Sequence, residues 1–227
     1  MEARGPRTRA SWALKGLSRG DLDTTTHAML LRQLYLAHFA QGQFQRAHEL
    51  AQEAIDLGVL EDVLHQDAAR ALQALGDVDA AVGHLRLAAR LAPPARRAFH
   101  FWTLGSILFL AGRHDEAITA LERAARWGTT DKPLYQGHLA LAKCRAGQPA
   151  GDLDALIARL EACPAGQGYG RFVLGQLAFA SRRYAEARSY LQSFVERTTR
   201  GRRAMEIALA GELEMARRTL LALDETG

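Results

Sequence analysis

Small residues recur in this sequence at a spacing that constrains the fold more than any other feature. Ala47, Ala81, Ala117, Asp152 and Ala187 stand 34 to 36 residues apart, and only the fourth of them is not alanine. Such a period is typical of a repeat array, in which each unit buries its apolar face only against its neighbours. The 227 residues of the chain are therefore compatible with one continuous array.

Glycine turns divide most repeat units into an apolar stretch and an amphipathic stretch. These turns contain Gly42, Gly76, Gly112 and Gly147. Glycine at such a turn supplies the left-handed backbone conformation that ends one helix and lets the next helix fold back. The sequence therefore predicts pairs of helices and essentially no strand.

The third unit resembles a tetratricopeptide repeat (TPR). The pattern of that family has a large residue, then a Leu-Gly pair, another large residue and two alanines seven positions apart. It is matched here by Phe101, Leu104, Gly105, Leu108, Ala117 and Ala124. Parts of the pattern return in Ala47/Ala54, Ala81/Ala88, Leu174-Gly175 and Tyr184 with Ala187. The resemblance covers about residues 28–202 and implies an all-α, right-handed α-solenoid of about five helix pairs plus a C-terminal capping helix.

The array is expected to occupy residues 27–201, with the capping helix and tail at 202–227. The fourth repeat departs from the pattern, because it has Asp152 and Arg159 in place of the two alanines. Its turn also contains Pro149 and Gly151. We expect the second helix of this repeat to be short or displaced.

Residues 1–26 are predicted to form a basic, flexible segment. The net charge of +4 resides in the first 20 residues, which contain Arg4, Arg7, Arg9, Lys15 and Arg19 against Glu2. They are polar and rich in glycine, and they precede the first repeat signal. The first repeat helix should begin near Thr24–Thr26, whose hydroxyls are suited to capping its free amides.

The sequence contains no pattern that predicts a catalytic, metal or cofactor site. There is no CxxC, HExxH or EF-hand loop, and the glycines at 166–170 lack the preceding strand of a dinucleotide site. Cys144 and Cys163 have no evident base beside them. No secretory signal or stretch of ~18 apolar residues is present. We therefore expect a cytoplasmic, non-catalytic protein that binds no metal or cofactor.

The TPR resemblance implies that the first helix of each repeat lines a concave groove. Few of the corresponding side chains are charged, and several are aromatic, so the groove is expected to suit an apolar or amphipathic partner segment. The rings of Trp102, Phe109, Phe172 and Phe179 should then be partly exposed. The candidate groove residues are Met29, Arg32, Gln33, Leu36, Gln66, Arg70, Phe99, Trp102, Ser106, Phe109, His138, Leu141, Tyr169, Phe172, Gln176 and Phe179.

Chaperone-binding TPR proteins use cationic and amide side chains to clamp a C-terminal carboxylate. The matching positions here hold Arg32, Gln33, Leu36, Phe99 and Thr103, so the clamp is missing. An alternative interpretation is that the aromatic residues pack internally or are covered by the chain's own tail or last helix.

Protein binding as an adaptor or scaffold is the function that these features favour. One alternative within the same class is a cytoplasmic chaperone of a secreted or assembling client. An alternative of another class is a nucleic-acid-associated protein that uses the basic N-terminal segment. The neutral body and the lack of a readout motif argue against a nucleic-acid partner. A third possibility is a membrane-surface segment within residues 1–20, with Trp12, Leu14 and Leu17 as its apolar side chains.

Overall fold

The computed structural model describes residues 5–225, and these residues form thirteen α-helices and no strand. They divide into two compact units, one ending at Arg96 and the other beginning at Arg97. Arg4 of the predicted basic segment and the last two residues of the predicted tail lie outside the described residues. The all-α fold class predicted from the sequence is confirmed.

The first unit consists of consecutive helices, and each of its first four packs against the one that follows it. Ala28, Ala47, Ala54, Ala81 and Ala88 are all fully buried in it. The small side chains that define the sequence period therefore lie at the contacts between helices. The helices are α1 (Pro6–Leu17), α2 (Thr24–Ala40), α3 (Phe44–Ile55), α4 (Glu61–Leu75), α5 (Val78–Leu91) and the first residues of α6 (Pro94–Leu110).

The second unit continues the pattern of helix pairs from α6 onwards. Within it, Ala117, Ala124 and Ala187 are fully buried, as the repeat pattern predicts. The helices that follow α6 are α7 (His114–Trp127), α8 (Lys132–Arg145), α9 (Leu153–Glu161), α10 (Tyr169–Ala180), α11 (Tyr184–Thr199), α12 (Arg203–Ala208) and α13 (Ala210–Glu225).

Two kinds of glycine act as the sequence predicts. Gly42, Gly76, Gly112 and Gly147 have φ between 69° and 86°, the left-handed conformation that closes the first helix of a pair. Gly105 lies inside α6, where a β-carbon would stand 2.5 Å from Leu121 Cγ of α7. The second helix thus packs directly on the backbone of the first.

The second helix of the fourth repeat is short, as predicted, because α9 has only 9 residues. Asp152 stands just before this helix and accepts a hydrogen bond of 3.0 Å from the Ala155 amide. The residue that replaces the repeated alanine is thus an N-cap that starts the helix later in the repeat.

The N-terminal segment differs from the sequence prediction. Residues Pro6–Leu17 form α1 rather than an irregular segment, and Ala13 of this helix is buried. Pro6 is suited to the first turn, and Gly16 lets α1 approach Leu30 of α2 closely. The predicted capping of α2 by threonine hydroxyls was also wrong, since Asp23 accepts the hydrogen bond from the Thr26 amide.

The C-terminal region forms two helices rather than the one that the sequence suggested. The helix is interrupted at Leu209, between the short α12 and the longer α13. α13 packs against both α10 and α11 and buries Leu213, Ala216 and Leu223. It therefore caps the apolar end of the last helix pair, as terminal elements of repeat arrays do.

Candidate protein-binding surfaces

In the first unit, α2 presents a face of accessible side chains that were predicted to line the groove. Met29 is 40% exposed, and Gln33 and Leu36 are partly exposed. These positions are four and seven residues from Met29, so all three project from one side of the helix. We call Met29, Gln33 and Leu36 the α2 surface.

An ion pair borders the α2 surface. The guanidinium of Arg32 donates to the carboxylate of Asp67 on α4, and Asp67 is only 2% exposed. Burial raises the pKa of Asp67, while the charge and hydrogen bond of Arg32 and the charge of Arg70 oppose this rise. Gln66 is also buried, and Arg70 remains partly exposed. Of the predicted groove residues of α4, Gln66 is thus buried and Arg70 is accessible.

In the second unit, the N-terminal half of α6 is the accessible part of the predicted groove. Phe99 is 37% exposed, and Trp102 is partly exposed with its ring 5.7 Å from that of Phe99. The Trp102 ring also meets the edge of Tyr169 at 4.8 Å. Trp102 therefore joins an exposed aromatic residue to a buried cluster.

The prediction that Phe109 and Phe172 are exposed was wrong, since they are 1% and 0% exposed. Phe109 packs against His138 of α8 at a ring distance of 5.2 Å, and Phe172 packs against Phe194 of α11 at 5.5 Å. Both rings fill space between neighbouring helices that pack closely. Phe179 is partly exposed, as predicted.

The polar groove candidates of the second unit are buried as well. Ser106, His138 and Gln176 are 6%, 0% and 1% exposed, and Leu141 is 1% exposed. His138 Nδ1 lies 3.4 Å from Ser106 Oγ, and burial lowers the pKa of His138 to about 3. The imidazole is therefore neutral at physiological pH and belongs to the interior.

The chain's own last helix covers part of this face. The Tyr169 hydroxyl donates to Glu212 Oε1 at 3.2 Å, and Gln176 Nε2 donates to Thr219 Oγ1 at 2.9 Å. Burial raises the pKa of Glu212 to about 7, although the Tyr169 hydrogen bond lowers it. Gly211 at the start of α13 contacts Leu110 of α6. In the second unit, α13 thus covers the part of the predicted groove that Tyr169 and Gln176 form.

Glu212 and Thr219 complete this polar contact and are not among the groove residues predicted from the sequence. The available signal was their spacing of seven residues, the same as that between Tyr169 and Gln176 on α10. Two parallel helices with polar residues at equal intervals match one another along their length. The signal is weak because acidic residues are rarely buried.

Among residues 5–225, no three His, Cys, Asp or Glu side chains come together in a way that could hold a metal ion. Cys144 and Cys163 form no disulfide. None of the described helices combines the length and apolar character required to cross a membrane.

Comparisons with known proteins agree with this architecture. Residues 67–132 match the family profile described as tetratricopeptide repeat. The fold is similar to that of PilF from Pseudomonas aeruginosa, with 18% identity, a TM-score of 0.59 and coverage of 88% of this chain and 90% of that one. It is also similar to a putative kinesin light chain from Podospora anserina with TPR-like repeats, with 17% identity, a TM-score of 0.51 and coverage of 90% and 96%.

No curated protein sequence matches the chain. The helix pairs, their buried small residues and the match over residues 67–132 nevertheless agree with each other and with the two similar structures. Together they show an all-α fold of helical repeats, in which residues 67–132 match the tetratricopeptide repeat family.

Proposed function

We propose that the protein is a non-catalytic adaptor that holds a segment of another protein on the α2 surface. The observation that carries the proposal is the exposure of Met29 beside the partly exposed Leu36, two turns apart on a first helix. Apolar side chains at this interval suit the i, i+3, i+4 and i+7 anchors of an amphipathic helix. The proposal includes the cytoplasmic location expected from the sequence.

The charges around the α2 surface favour a partner segment with an acidic residue. Arg32 uses its charge in the pair with Asp67, whereas Arg70 of α4 is partly exposed. A carboxylate on the partner would meet Arg70 at the edge of the contact, where it would add specificity more than affinity. The apolar anchors would supply most of the binding energy, as central residues of interfaces usually do.

The test is to capture partners with variants of the full chain. Met29→Glu combined with Leu36→Glu places two charges on the α2 surface, while Leu91→Glu places one on α5 at a residue that is 41% exposed. Proteins that are crosslinked to the wild type and to the Leu91→Glu variant, but not to the double variant, would be candidate partners. A synthetic peptide from the crosslinked segment should then bind the wild type at least about tenfold more tightly than the double variant.

Two outcomes would contradict the adaptor proposal. One is a double variant that captures the same proteins as the wild type. The other is a captured segment whose peptide binds both forms equally. Far-UV circular dichroism and thermal unfolding of each variant would establish that lost capture comes from the surface and not from a damaged fold.

A further inference from the structure

The contact between α13 and α10 is regular along both helices. Tyr169 on α10 bonds Glu212 on α13, and Gln176 on α10 bonds Thr219 on α13. In both pairs the two residues are 43 positions apart in the sequence. A constant separation means that the two helices run parallel and in register. The same face of α13 buries Leu213, Ala216 and Leu223, and the helix is therefore docked by an apolar stripe with polar bonds beside it.

Several buried polar atoms around Tyr169 have no hydrogen-bond partner. They are Glu212 Oε2 on α13, Trp102 Nε1 on α6 and His138 Nε2 on α8. Tyr169 connects these groups, because its ring contacts Trp102 and His138 and its hydroxyl bonds Glu212. A buried polar atom without a partner weakens a packing contact, so the unpaired Glu212 Oε2 opposes the docking of α13.

The connection between α11 and α13 allows α13 to leave without disrupting the last helix pair. Thr198, near the end of α11, is buried, but residues 200–203 are all exposed. The six-residue α12 that follows buries no side chain. Separation of α13 would therefore break contacts of α13 itself and would leave the core between α10 and α11 in place.

We call the side of α10 that carries Tyr169 and Gln176 the α10 face. Its rim is basic where α13 lies on it. Arg145 of α8 donates to Gln176, and Arg188 of α11 forms an ion pair with Asp224 near the end of α13. Beside α13 an open cleft of about 490 Å³ is lined by residues that include Arg145, Phe179 and Met215. The face thus combines basic groups, an apolar wall and accessible space next to its present occupant.

We propose that α13 is a replaceable occupant of the α10 face, and that this face binds a partner helix with the same pattern as α13. The partner helix is amphipathic and acidic. It presents a carboxyl group to Tyr169 and, seven positions later, a hydroxyl to Gln176. This surface lies in the second unit and is separate from the α2 surface, so the two proposals can fail independently.

The test uses a peptide of known composition, namely residues 210–225 with blocked ends and a fluorescent label. In the wild-type chain, α13 competes for the face and lowers the apparent affinity for the peptide. Leu213→Glu with Leu223→Glu, introduced only in the chain's own α13, should release the face and strengthen peptide binding at least about tenfold. The matched control is Leu221→Glu, because Leu221 lies on the same helix and is 64% exposed. It should leave peptide affinity unchanged.

Two further arms keep the test decisive if the double variant folds poorly. Thr219→Val keeps the side-chain volume and removes the bond from Gln176, together with the bond that the Thr219 hydroxyl donates to the Met215 carbonyl within α13, so it should strengthen peptide binding by a smaller factor. A peptide with Glu212→Lys should bind the Thr219→Val chain at least about tenfold more weakly than a peptide with Leu221→Glu.

Hydrogen exchange of the unmodified chain supplies an independent measurement. Amides in the middle of α13 should exchange faster than those of α11, because α13 opens by itself. The proposal would be overturned if α13 and α11 exchanged only together. It would also be overturned if the peptide bound neither the double variant nor Thr219→Val more tightly than the wild type.

Discussion

The hydroxyl of Tyr169 on α10 donates to a carboxylate oxygen of Glu212 on α13 at 3.2 Å, and Glu212 is only 4% exposed. An acidic group at such a position favours its neutral form, because burial removes the water that stabilises its charge. Burial accordingly raises the pKa of Glu212 to about 7. The docking of the last helix is thereby linked to pH.

The sign of this linkage follows from the direction of the pKa change. The ordinary pKa of the side chain is 4.5, and the folded state raises it to about 7, so the folded state binds a proton more tightly than the unfolded state. The loss of folding stability caused by the buried charge of Glu212 is absent below about pH 4.5. It grows as the pH rises towards 7 and is complete above that value. Its upper limit is about 3 kcal/mol.

The first prediction is that Glu212→Gln stabilises the protein at pH 8 and has little effect at pH 4.5. Glutamine keeps the size of the side chain and has no charge to desolvate, so the gain should approach about 2–3 kcal/mol at pH 8. Urea unfolding at several pH values would measure it. The control is Glu214→Gln on the exposed side of α13, for which we expect a change within about 0.5 kcal/mol. Equal effects of Glu212→Gln at both pH values would contradict the linkage.

The second prediction concerns the aromatic residues that the sequence placed in one groove. Phe172→Ala should reduce the free energy of unfolding by about 3–5 kcal/mol, because Phe172 is fully buried against Phe194. Phe99→Ala, at a ring that is 37% exposed, should cost about 1 kcal/mol or less. Denaturant unfolding of the two variants gives the comparison. Equal losses would mean that the burial assigned to these two rings is wrong.

Repeat spacing predicts which residues pack inside a helix pair. It does not predict whether the first-helix side chains that point towards the expected groove are exposed. Gly105 and Ala117 could be assigned from their spacing, because close approach of two helices demands a small residue at each such contact. Phe109 could not, since its burial depends on how closely α6 and α8 approach one another, which the repeat pattern does not fix.

The two ends of the chain were hard to predict for related reasons. α1 has a polar sequence, and its packing against α2 includes the burial of Ala13 and the close approach of Gly16 to Leu30, which no periodic pattern predicts. The burial of Glu212 contradicts the general preference of acidic residues for water. It becomes understandable only when Tyr169 is seen to donate a hydrogen bond to it.

The third prediction uses two glycines in helices. Gly105→Ala should destabilise the protein by at least about 1 kcal/mol, because the new methyl group would stand 2.5 Å from Leu121 Cγ and α7 would have to move. Gly83→Ala, on α5, should stabilise it by about 0.5–1 kcal/mol, because a β-carbon there meets nothing within 4 Å and alanine favours the helix. Thermal unfolding would detect the opposite signs. A stabilising Gly105→Ala would show that α6 and α7 are not in close contact.

The last prediction concerns the ion pair that borders the α2 surface. Arg32→Met keeps most of the side-chain length and removes the charge that compensates Asp67. Since Asp67 is 2% exposed, the variant leaves a buried carboxylate without its ion-pair partner, and only the charge of Arg70 still acts on it. Arg32 is itself 26% exposed, and water screens part of the interaction, so we expect a loss of about 1–3 kcal/mol at pH 7.5.

The pH dependence of this loss distinguishes electrostatics from packing. Burial already raises the pKa of Asp67, and Arg32 opposes that rise, so removal of Arg32 should raise the pKa further. A buried carboxyl group no longer carries the desolvation cost of its charge once it is protonated. The decrease in the free energy of unfolding caused by Arg32→Met should therefore shrink as the pH falls. The control is Arg46→Met, because Arg46 and Glu49 form a pair in which both side chains are about half exposed. It should change the free energy of unfolding by less than about 0.5 kcal/mol at either pH. If Arg32→Met caused the same loss at pH 4.5 and pH 7.5, the effect would come from the packing of the arginine stem, and Asp67 would not depend on the charge of Arg32.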